Sequence, residues 1–329
     1  MIDMDGRAGA MMPSPSDAGS HHPASSVAHG SAARSARPKM LNDVYRLGEE
    51  LGRGAFGQVF RALDTRTGQH VAVKQLSLEG FKDGDLQGIE NEVELLASLR
   101  HRNVVKYLGC MRTRSHLHII LEYVENGSLA SVIKPSRFGP FPEALVAVTI
   151  QQVLQGLAYL HARGVVHRDV KGANILTTKE GVVKLADFGV AAQLAGHEQG
   201  GADEQAKDAF PGAPASASQA PVYQTARESN HPVGSPYWMA PEVVEMKSVT
   251  PASDVWSVGC LAIELLTGAP PYYELQPMSA LFNIVQDAHP PLPPGISAGM
   301  RDFLLGCFAR DPALRPPARQ LLDHPWVTY

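Results

Sequence analysis

Two carboxylates and an amide in one short stretch of the chain have the types and order needed for phosphoryl chemistry. Asp169 precedes Asn174, and Asp187 follows at the start of Asp187-Phe188-Gly189. A well-placed aspartate can accept the proton of a hydroxyl, whereas an amide oxygen and a second carboxylate are the oxygen ligands that Mg²⁺ prefers. Lys171, shortly after Asp169, adds a positive charge that can neutralise a phosphate. This order matches the groups that transfer a phosphoryl group from a nucleotide.

Upstream, three glycines predict a loop that approaches phosphates closely. Gly52, Gly54 and Gly57 are followed at once by Val59-Phe60. Because glycine has no Cβ, backbone N–H groups at these positions can face a phosphate without a clash. The same spacing marks dinucleotide-binding folds, but there it opens a helix. Strand-forming residues follow it here, so the dehydrogenase interpretation is excluded.

Lys74 follows the strand-like run Val71-Ala72-Val73 and can supply a point charge to the α- and β-phosphates of a nucleotide. Such a lysine needs a carboxylate to hold it in place. Glu92 lies on a predicted amphipathic helix and is the preferred partner. Glu90 and Glu94 are the neighbouring candidates, for which a solvated helix face is the alternative interpretation.

Composition excludes several classes of protein. The chain has 329 residues and a formal net charge of −4, so it lacks the basic footprint of a nucleic-acid-binding protein. Cys110, Cys260 and Cys307 are far apart and are predicted to be isolated reduced thiols. The longest apolar stretch, around Val255 to Leu266, is too short to span a bilayer and contains Glu264. With no secretory signal in the first thirty residues, a cytoplasmic location without a membrane span is predicted.

Two segments are predicted to lack a packed core. Residues 1–44 contain no Phe, Tyr or Trp and are rich in Ser, Ala, Gly, Pro and His, which predicts a disordered amino-terminal tail. Residues 195–232 have a similar composition with added Gln. A structureless loop of this length inside a compact domain is unusual. Since chemically informative motifs flank it on both sides, the segment is interpreted as an insertion.

The remaining chain divides into a β-rich part and a helical part. From Tyr45 onward, β-branched runs around residues 59–60, 71–73 and 117–120 predict antiparallel strands. One amphipathic helix is predicted between them from apolar residues at helical spacing: Ile89, Val93, Leu96 and Leu99. After Gly127 the pattern changes to long helices over residues 145–160 and 254–266, the second ending at Gly268. The predicted class is α+β.

These motifs together resemble a known family. The stretch 167–174, with the glycines, Lys74 and Ala240-Pro241-Glu242, is similar to Ser/Thr protein kinases of the sterile-type (STE) group. Residues 138–143, 236–239 and 271–278 resemble plant epsilon-type MAP kinase kinase kinases and fungal septation-initiation kinases. The resemblance implies a two-lobed kinase domain over 45–327, with an antiparallel β N-lobe (45–125) and a mainly helical C-lobe (126–327). The insertion then lies in the activation segment.

The resemblance also implies site residues and the cofactors ATP and Mg²⁺. The catalytic set is Asp169, Lys171, Lys74 and Glu92, and the metal ligands are Asn174 and Asp187. The hinge that binds adenine is Glu122-Tyr123-Val124, with Leu121 as gatekeeper. The full set of implied nucleotide contacts is Leu51, Gly52, Gly54, Gly57, Val59, Ala72, Lys74, Glu122, Val124 and Leu176.

Three further positions are implied to support this site. Glu242 and Arg315 would form a buried pair that anchors the activation segment, and Asp254 would brace the backbone of the catalytic loop. Ser235 stands where the group usually has Thr, but its hydroxyl can still reach Asp169. The departure leaves the chemistry of the site intact.

Control and specificity follow from neighbouring residues. Arg168 is a buried charge that needs an anion, and a phosphate on Thr225 or Ser229 would supply one, added by an upstream kinase or by autophosphorylation. The alternative is that both are ordinary polar loop residues. The resemblance also implies substrate preferences. Arg-directed kinases of the wider family use acidic residues near Ala173 and Ser128, and since both positions are uncharged here, no strong preference for Arg is predicted. Val190 is β-branched, which in similar kinases goes with a preference for Thr.

The leading hypothesis is a Ser/Thr protein kinase that acts on a signalling protein, plausibly a downstream kinase. The rival hypothesis is a nucleotide-binding pseudokinase or scaffold, which is disfavoured because Lys74, Asp169 and Asp187 are all present. A small-molecule kinase is a third hypothesis. Residues 236–242 argue against it, since they resemble the platform on which a protein substrate lies.

Overall fold

The computed structural model of the chain describes residues 40–54, 57–79, 97–134, 137–187 and 236–328. These ranges belong to one compact unit, Pro38–Tyr329. Several sequence predictions fall outside them: Glu92, Val190, Thr225, Ser229, Ser235, residues 1–39, the insertion at 195–232 and most of the amphipathic helix.

A six-stranded antiparallel sheet forms the amino-terminal lobe, as predicted. Its strands are β1 (Met40–Leu41), β2 (Tyr45–Gly54), β3 (Gly57–Asp64), β4 (His70–Ser77), β5 (Tyr107–Arg112) and β6 (His116–Glu122). The spatial order is β1-β2-β3-β4-β6-β5. β4 lies inside the sheet and is buried from Val71 to Leu76, which explains its continuous apolar run. Lys74 interrupts that run. A lysine on a buried strand indicates that β4 contributes to a functional site.

The first strand corrects the predicted boundary of the tail. Met40 pairs with Arg46 and Leu41 with Tyr45, so residues 40–44 belong to the fold although the predicted disordered segment ended at 44. Leu41 is buried in a small apolar cluster under the sheet. An isolated Met40-Leu41 pair carries no periodic signal, so this contact could be seen only in three dimensions.

Helices form the carboxy-terminal lobe. They are α1 (Leu129–Val132), α2 (Glu143–His161), α3 (Pro241–Val244), α4 (Pro251–Thr267), α5 (Pro277–Gln286), α6 (Ala298–Cys307), α7 (Ala318–Leu321) and α8 (Pro325–Thr328). A two-stranded antiparallel sheet, β7 (Ile175–Thr177) and β8 (Val183–Leu185), lies in the same lobe. Short 3₁₀ turns occur at Gly172–Asn174, Pro236–Trp238 and Pro312–Leu314.

Helix α2 is long and apolar enough to cross a bilayer by length and composition alone. Its apolar residues instead pack into the main core, where Ile150, Leu154 and Leu157 are fully buried. The predicted helix is confirmed, but Leu145 and Val148 on it lie at the surface. The buried stripe therefore starts one residue later than the apolar pattern indicates.

Helix α4 is the buried centre of this lobe. Thr250 and Ser253 form a reciprocal capping box at its start, and Gly268 ends it in the left-handed conformation with φ of 87°. The predicted stop at Gly268 is confirmed. Almost every side chain between Ser253 and Leu265 is buried, including the carboxylates Asp254 and Glu264. Since a buried carboxylate requires hydrogen-bond donors, both acids must accept hydrogen bonds from neighbouring elements.

Candidate active site

Three of the predicted site residues, Asp169, Lys171 and Asn174, meet in the loop between α2 and β7. The side-chain nitrogen of Asn174 donates to the main-chain oxygen of Asp169 (2.8 Å) and to its carboxylate Oδ2 (2.7 Å). The ammonium of Lys171 lies 2.8 Å from the same Oδ2. These contacts fix the orientation of the Asp169 carboxylate. Because the amide nitrogen of Asn174 is used in them, its amide oxygen is the atom that can ligate a cation.

Lys74 and Asp187 bring the two lobes together at the site. Lys74 lies opposite Val59 on β3 and Ile119 on β6, and its side chain is 9% exposed. Its Nζ contacts Oδ1 of Asp187, a residue 113 positions later in the chain. Asp187 follows β8 and has φ of 63°, a conformation that is rare without glycine and that often marks functional sites. Glu92, the partner predicted for Lys74, lies outside the described residues.

Asp254 braces the catalytic loop, as the resemblance implied. Its carboxylate accepts hydrogen bonds from the main-chain N–H groups of His167 and Arg168, both at 2.8 Å. The Nε2 atom of His161 lies 2.8 Å from the same carboxylate. Burial by itself would raise the pKa of Asp254, but the contact with His161 and these hydrogen bonds outweigh it and lower the pKa. The loop backbone is therefore held by a charged acceptor.

Arg168 has a strained backbone and is half-buried, rather than fully buried as predicted. Its φ is 71°, and its Nε atom is buried without a hydrogen-bond partner among the residues that the structure describes. A guanidinium nitrogen that is buried without a partner favours a nearby anion. This geometry agrees with the expectation that Arg168 receives a phosphate, although Thr225 and Ser229 themselves lie outside the described ranges.

Gly52 and Gly57 of the glycine-rich hairpin have different structural surroundings. Gly54 pairs with Gly57 across the hairpin. Gly57 has φ of 138°, and a Cβ there would lie 1.9 Å from the carbonyl oxygen of Gln75. A Cβ on Gly52 would meet no heavy atom within 4 Å. The close approach of β4 therefore demands glycine at 57, whereas at 52 the fold leaves open space on the hairpin, the property expected of a phosphate-binding position.

The predicted adenine contacts lie on or beside strands of both lobes. Ala72 pairs with the gatekeeper Leu121 across β4 and β6, and Val124 is 7% exposed. Leu176 lies on β7 and forms an isolated bridge with Ser128. Val59 lies on β3. Leu51, the first residue of the predicted set, lies on β2 and is 44% exposed.

Glu122 has a role in the structure that differs from a simple nucleotide contact. Its Oε1 atom accepts hydrogen bonds from the main-chain N–H of Lys106 and from Nζ of Lys184, both at 2.8 Å. The carboxylate is thus committed to neighbouring protein groups, so only the backbone of Glu122 is suited to bind adenine. Lys184 lies on β8, the strand that leads to Asp187, and the pair ties the hinge to that strand.

The buried pair implied by the resemblance is present. Arg315 donates to the two carboxylate oxygens of Glu242 at 2.6 and 2.8 Å, and the Ser253 hydroxyl donates to the same carboxylate at 2.8 Å. Both charged residues are at most 5% exposed. Burial would raise the pKa of Glu242, but the hydrogen bonds from Arg315 and the charge on it lower the pKa. Glu242 therefore stays ionised beside a fixed counter-ion.

Three positions near the site were not identified from the sequence. They are His161, Lys184 and Glu264. For Glu264 a signal existed, because it is the one acid in the apolar stretch 255–266, but it was used only to exclude a membrane span. The other two have no distinctive spacing. Among the described residues, no cluster of three or more His, Cys, Asp or Glu side chains could hold a metal on protein ligands alone.

The available donors fit magnesium bound together with phosphates. Mg²⁺ usually takes one or two protein carboxylate or amide oxygens and completes its octahedron with phosphate and water. Asn174 and Asp187 offer one such oxygen group each, close to Lys74 and Asp169.

Comparison with known sequences agrees with this geometry. Residues 45–327 match the family model described as protein kinase domain. This chain belongs to the protein kinase domain family. The two-lobed fold and the resemblance predicted from the sequence are confirmed by this match.

The relatives of this kinase domain lie in the predicted subgroups. It is 55% identical over 291 residues to MAP3K epsilon protein kinase 1 of Arabidopsis thaliana, covering 88% of this chain and 19% of the relative. It is 54% identical over 283 residues to cytokinesis protein sepH of Emericella nidulans, covering 86% and 19%. With cell division control protein 7 of Schizosaccharomyces pombe the identity is 52% over 281 residues, covering 85% and 23%. The chain thus spans about a fifth of the length of these relatives.

Proposed function

We propose that this kinase domain transfers the γ-phosphate of ATP to serine or threonine hydroxyls of a protein substrate, with Mg²⁺ as cofactor. The observation that carries the proposal is the contact of Asn174 (2.7 Å) and Lys171 (2.8 Å) with the same carboxylate oxygen of Asp169, together with the Lys74–Asp187 contact. A proton acceptor, two metal-ligating oxygens and two lysines for phosphate charge are the parts that phosphoryl transfer requires.

Each residue has a task that its position allows. Asp169 orients the attacking hydroxyl and accepts its proton. Lys171, 2.8 Å from the same carboxylate, offsets the negative charge on the transferred group. Lys74 holds the α- and β-phosphates, and Asn174 and Asp187 would hold Mg²⁺, which neutralises phosphate charge when bound. Asp254 keeps the loop in place through two main-chain hydrogen bonds.

The finer assignment is a signalling kinase of the MAP kinase kinase kinase type, whose substrate is a downstream kinase. Its support is the 55% identity to a relative named MAP3K epsilon protein kinase 1. Phosphorylation of Thr225 or Ser229 by an upstream kinase or by the domain itself is part of this proposal, since it would supply Arg168 with an anion. A cytoplasmic location stays a prediction.

The deciding experiment compares the purified 329-residue chain with Asp169→Asn. Both are incubated with Mg²⁺, labelled ATP and casein. The substitution removes the proton acceptor while keeping the size of the side chain, so transfer is expected to fall by at least about 100-fold. Asp302→Asn is the matched control, because the Asp302 side chain is 82% exposed and remote in sequence.

The outcomes separate the two functional hypotheses. Transfer that is lost in Asp169→Asn and kept in Asp302→Asn supports a protein kinase. Mapping the phosphorylated sites then tests Thr225 and Ser229. If the unsubstituted protein binds ATP but transfers no phosphate, even after incubation with an activating cell extract, the scaffold hypothesis replaces the enzyme.

A further inference from the structure

Tyr272 has a strained backbone that the proposed mechanism does not explain. It lies in the turn between α4 and α5, and its φ is 61°, in the left-handed region that a bulky side chain rarely adopts. Two buried prolines, Pro270 and Pro271, precede it. Because such a conformation costs free energy, it persists only where surrounding contacts hold it, and such positions cluster at functional sites.

A hydrogen bond from the Tyr272 side chain holds this turn. Its hydroxyl donates to Oδ2 of Asp287 at 2.7 Å. Asp287 directly follows α5, and its main-chain N–H donates to the carbonyl oxygen of Asn283 on that helix at 2.8 Å. The main-chain oxygen of Asp287 accepts from Nη1 of Arg310 at 2.6 Å. Asp287 is therefore a fixed acceptor, which binds the strained residue before α5 to the far end of the same helix.

The ring and the hydroxyl of Tyr272 have separate contacts. The ring is half-buried and packs against the main core of the carboxy-terminal lobe, where a phenylalanine ring would fill the same space. Burial and the hydrogen bond to Asp287 both raise the pKa of the Tyr272 hydroxyl, so the hydroxyl keeps its proton and remains a donor at neutral pH. One substitution can therefore remove the hydrogen bond and leave the packing in place.

The same turn contacts the segment that resembles the protein-substrate platform. The main-chain N–H of Leu275 donates to the carbonyl oxygen of Tyr272 at 2.9 Å and closes the turn. The carbonyl oxygen of Leu275 accepts a hydrogen bond from the hydroxyl of Tyr237, in the platform segment, at 2.9 Å. The ring centroid of Tyr237 lies 5.7 Å from that of Tyr273, whose side chain is 57% exposed. The turn therefore adjoins the platform through a hydrogen bond and a ring contact.

We propose that Tyr272 is a positioning residue, whose hydrogen bond to Asp287 holds the turn 272–275 against Tyr237 and thereby shapes the surface that binds the protein substrate. This inference rests on the proposed function. The hydrogen bonds described for the turn do not involve the hinge or Lys74. Loss of the bond is therefore expected to raise the KM for a protein substrate and to leave the KM for ATP unchanged.

Tyr272→Phe removes the hydrogen bond and keeps the ring. The strained backbone then loses a contact that holds it, so the turn leaves its place against Tyr237 in a fraction of the molecules. The apparent affinity for the substrate falls in proportion to the fraction that remains binding-competent. One hydrogen bond of this kind changes such an equilibrium by roughly 3- to 10-fold. We expect the KM for casein to rise by about the same factor, 3- to 10-fold, in Tyr272→Phe.

Substitutions of Asp287 test the same hydrogen bond from its acceptor. Asp287→Ala removes the side-chain oxygen but keeps the main-chain contact with Arg310, so its KM for casein should match that of Tyr272→Phe. Asp287→Asn retains an amide oxygen that can accept from the hydroxyl, and its KM should stay within about twofold of the unsubstituted protein. The double variant Tyr272→Phe with Asp287→Ala should resemble either single variant, whereas independent effects would multiply.

Two matched controls separate the proposed effect from general damage to the fold. Tyr45→Phe removes the hydroxyl of a half-buried tyrosine in the amino-terminal lobe, where it accepts from Arg66 at 3.3 Å. Asp302→Ala removes a carboxylate that is 82% exposed on α6. Both controls should leave the KM for casein unchanged. Thermal unfolding of every variant measures any loss of stability separately from the kinetic constants.

The kinetic outcomes either support the positioning role or overturn it. A raised KM for casein in Tyr272→Phe and Asp287→Ala, with normal values in Asp287→Asn and in both controls, supports it. An unchanged KM for casein in Tyr272→Phe overturns it, even where the melting temperature falls, because the hydroxyl then contributes to stability alone. A KM for ATP that rises in parallel with the KM for casein also overturns it.

Hydrogen exchange of the Leu275 main-chain N–H reports on the turn without any phosphate transfer, since this group donates to the carbonyl oxygen of Tyr272. Exchange should be about 3- to 10-fold faster in Tyr272→Phe and Asp287→Ala than in the unsubstituted protein and Asp287→Asn. If the unsubstituted protein transfers no phosphate, the proposed function fails, and this measurement decides whether the bond holds the turn. Equal exchange in all four proteins refutes that role.

Discussion

The buried Glu242–Arg315 pair allows a quantitative test of what anchors the carboxy-terminal lobe. In Glu242→Gln the side chain keeps its size but loses its charge. Arg315, which is 4% exposed, is then left without a counter-ion, and an amide N–H₂ group replaces one of the two oxygens that accept from it. The Ser253 hydroxyl also loses a charged acceptor.

The expected magnitude follows from burial. Breaking a buried ion pair by removing one partner costs about 3–5 kcal/mol, because the remaining charge is desolvated without compensation. For a large single domain, each kcal/mol lowers the melting temperature by about 2–4 °C. Glu242→Gln should therefore lower the melting temperature by about 6–20 °C.

The assay is thermal unfolding followed by circular dichroism at neutral pH, with Glu245→Gln as the control. Glu245 pairs with Lys247 at 2.9 Å, but the two side chains are 34% and 64% exposed. Such an exposed pair contributes about 0–1 kcal/mol, so the control should shift the melting temperature by no more than about 4 °C. If both variants unfold at the same temperature, the argument from burial is wrong.

The pH dependence of this difference gives a second check on the same variant. The pKa of Glu242 is lowered in the folded protein, so its ionisation stabilises the fold above the ordinary pKa of 4.5. That stabilisation is lost as the pH falls through the lowered pKa. The gap in stability between the unsubstituted protein and Glu242→Gln should be full at neutral pH and shrink in acid. A gap that is constant with pH would contradict the assigned charge state.

Two further predictions concern the amino-terminal lobe. Gly57→Ala should lower the free energy of unfolding by at least about 1–3 kcal/mol, because the added Cβ meets the carbonyl oxygen of Gln75 and φ is positive. Gly52→Ala should change the free energy of unfolding by no more than about 0.5 kcal/mol. Urea unfolding of the two variants measures both, and equal losses would refute the distinction. Lys184→Met should cost about 1 kcal/mol, since the side chains of Lys184 and Glu122 are 14% and 26% exposed. A double-mutant cycle with Glu122→Gln measures the coupling, and a coupling of zero would show that the pair does not tie the hinge to β8.

Much of the site could be predicted because its residues lie close together in the sequence. Asp169, Lys171 and Asn174 lie within six consecutive residues, so their types and spacing already predict mutual contact. The stop of α4 at Gly268 is likewise local, since only glycine adopts its left-handed conformation without strain. The continuous apolar run of β4 and the helical spacing of apolar residues in α2 depend only on the geometry and burial of one strand or helix.

Other features depended on tertiary contacts that no local pattern encodes. Leu41 joins the fold through pairing with Tyr45, and the backbone of β4 requires glycine at position 57. The commitment of the Glu122 carboxylate to Lys184 could not be seen at a separation of 62 residues. In each case the packing of sheets and helices determines which groups come into contact.

The sequence by itself determined which chemical groups this chain carries and the family to which it belongs, because those groups form short motifs whose order is informative. Only the tertiary structure decided that Lys74 contacts Asp187 and that Glu264 receives hydrogen bonds from Gly172 and Trp238. The physical reason is burial. A charged group inside the protein must find its donors wherever the packed elements place them, and a linear sequence does not state those distances.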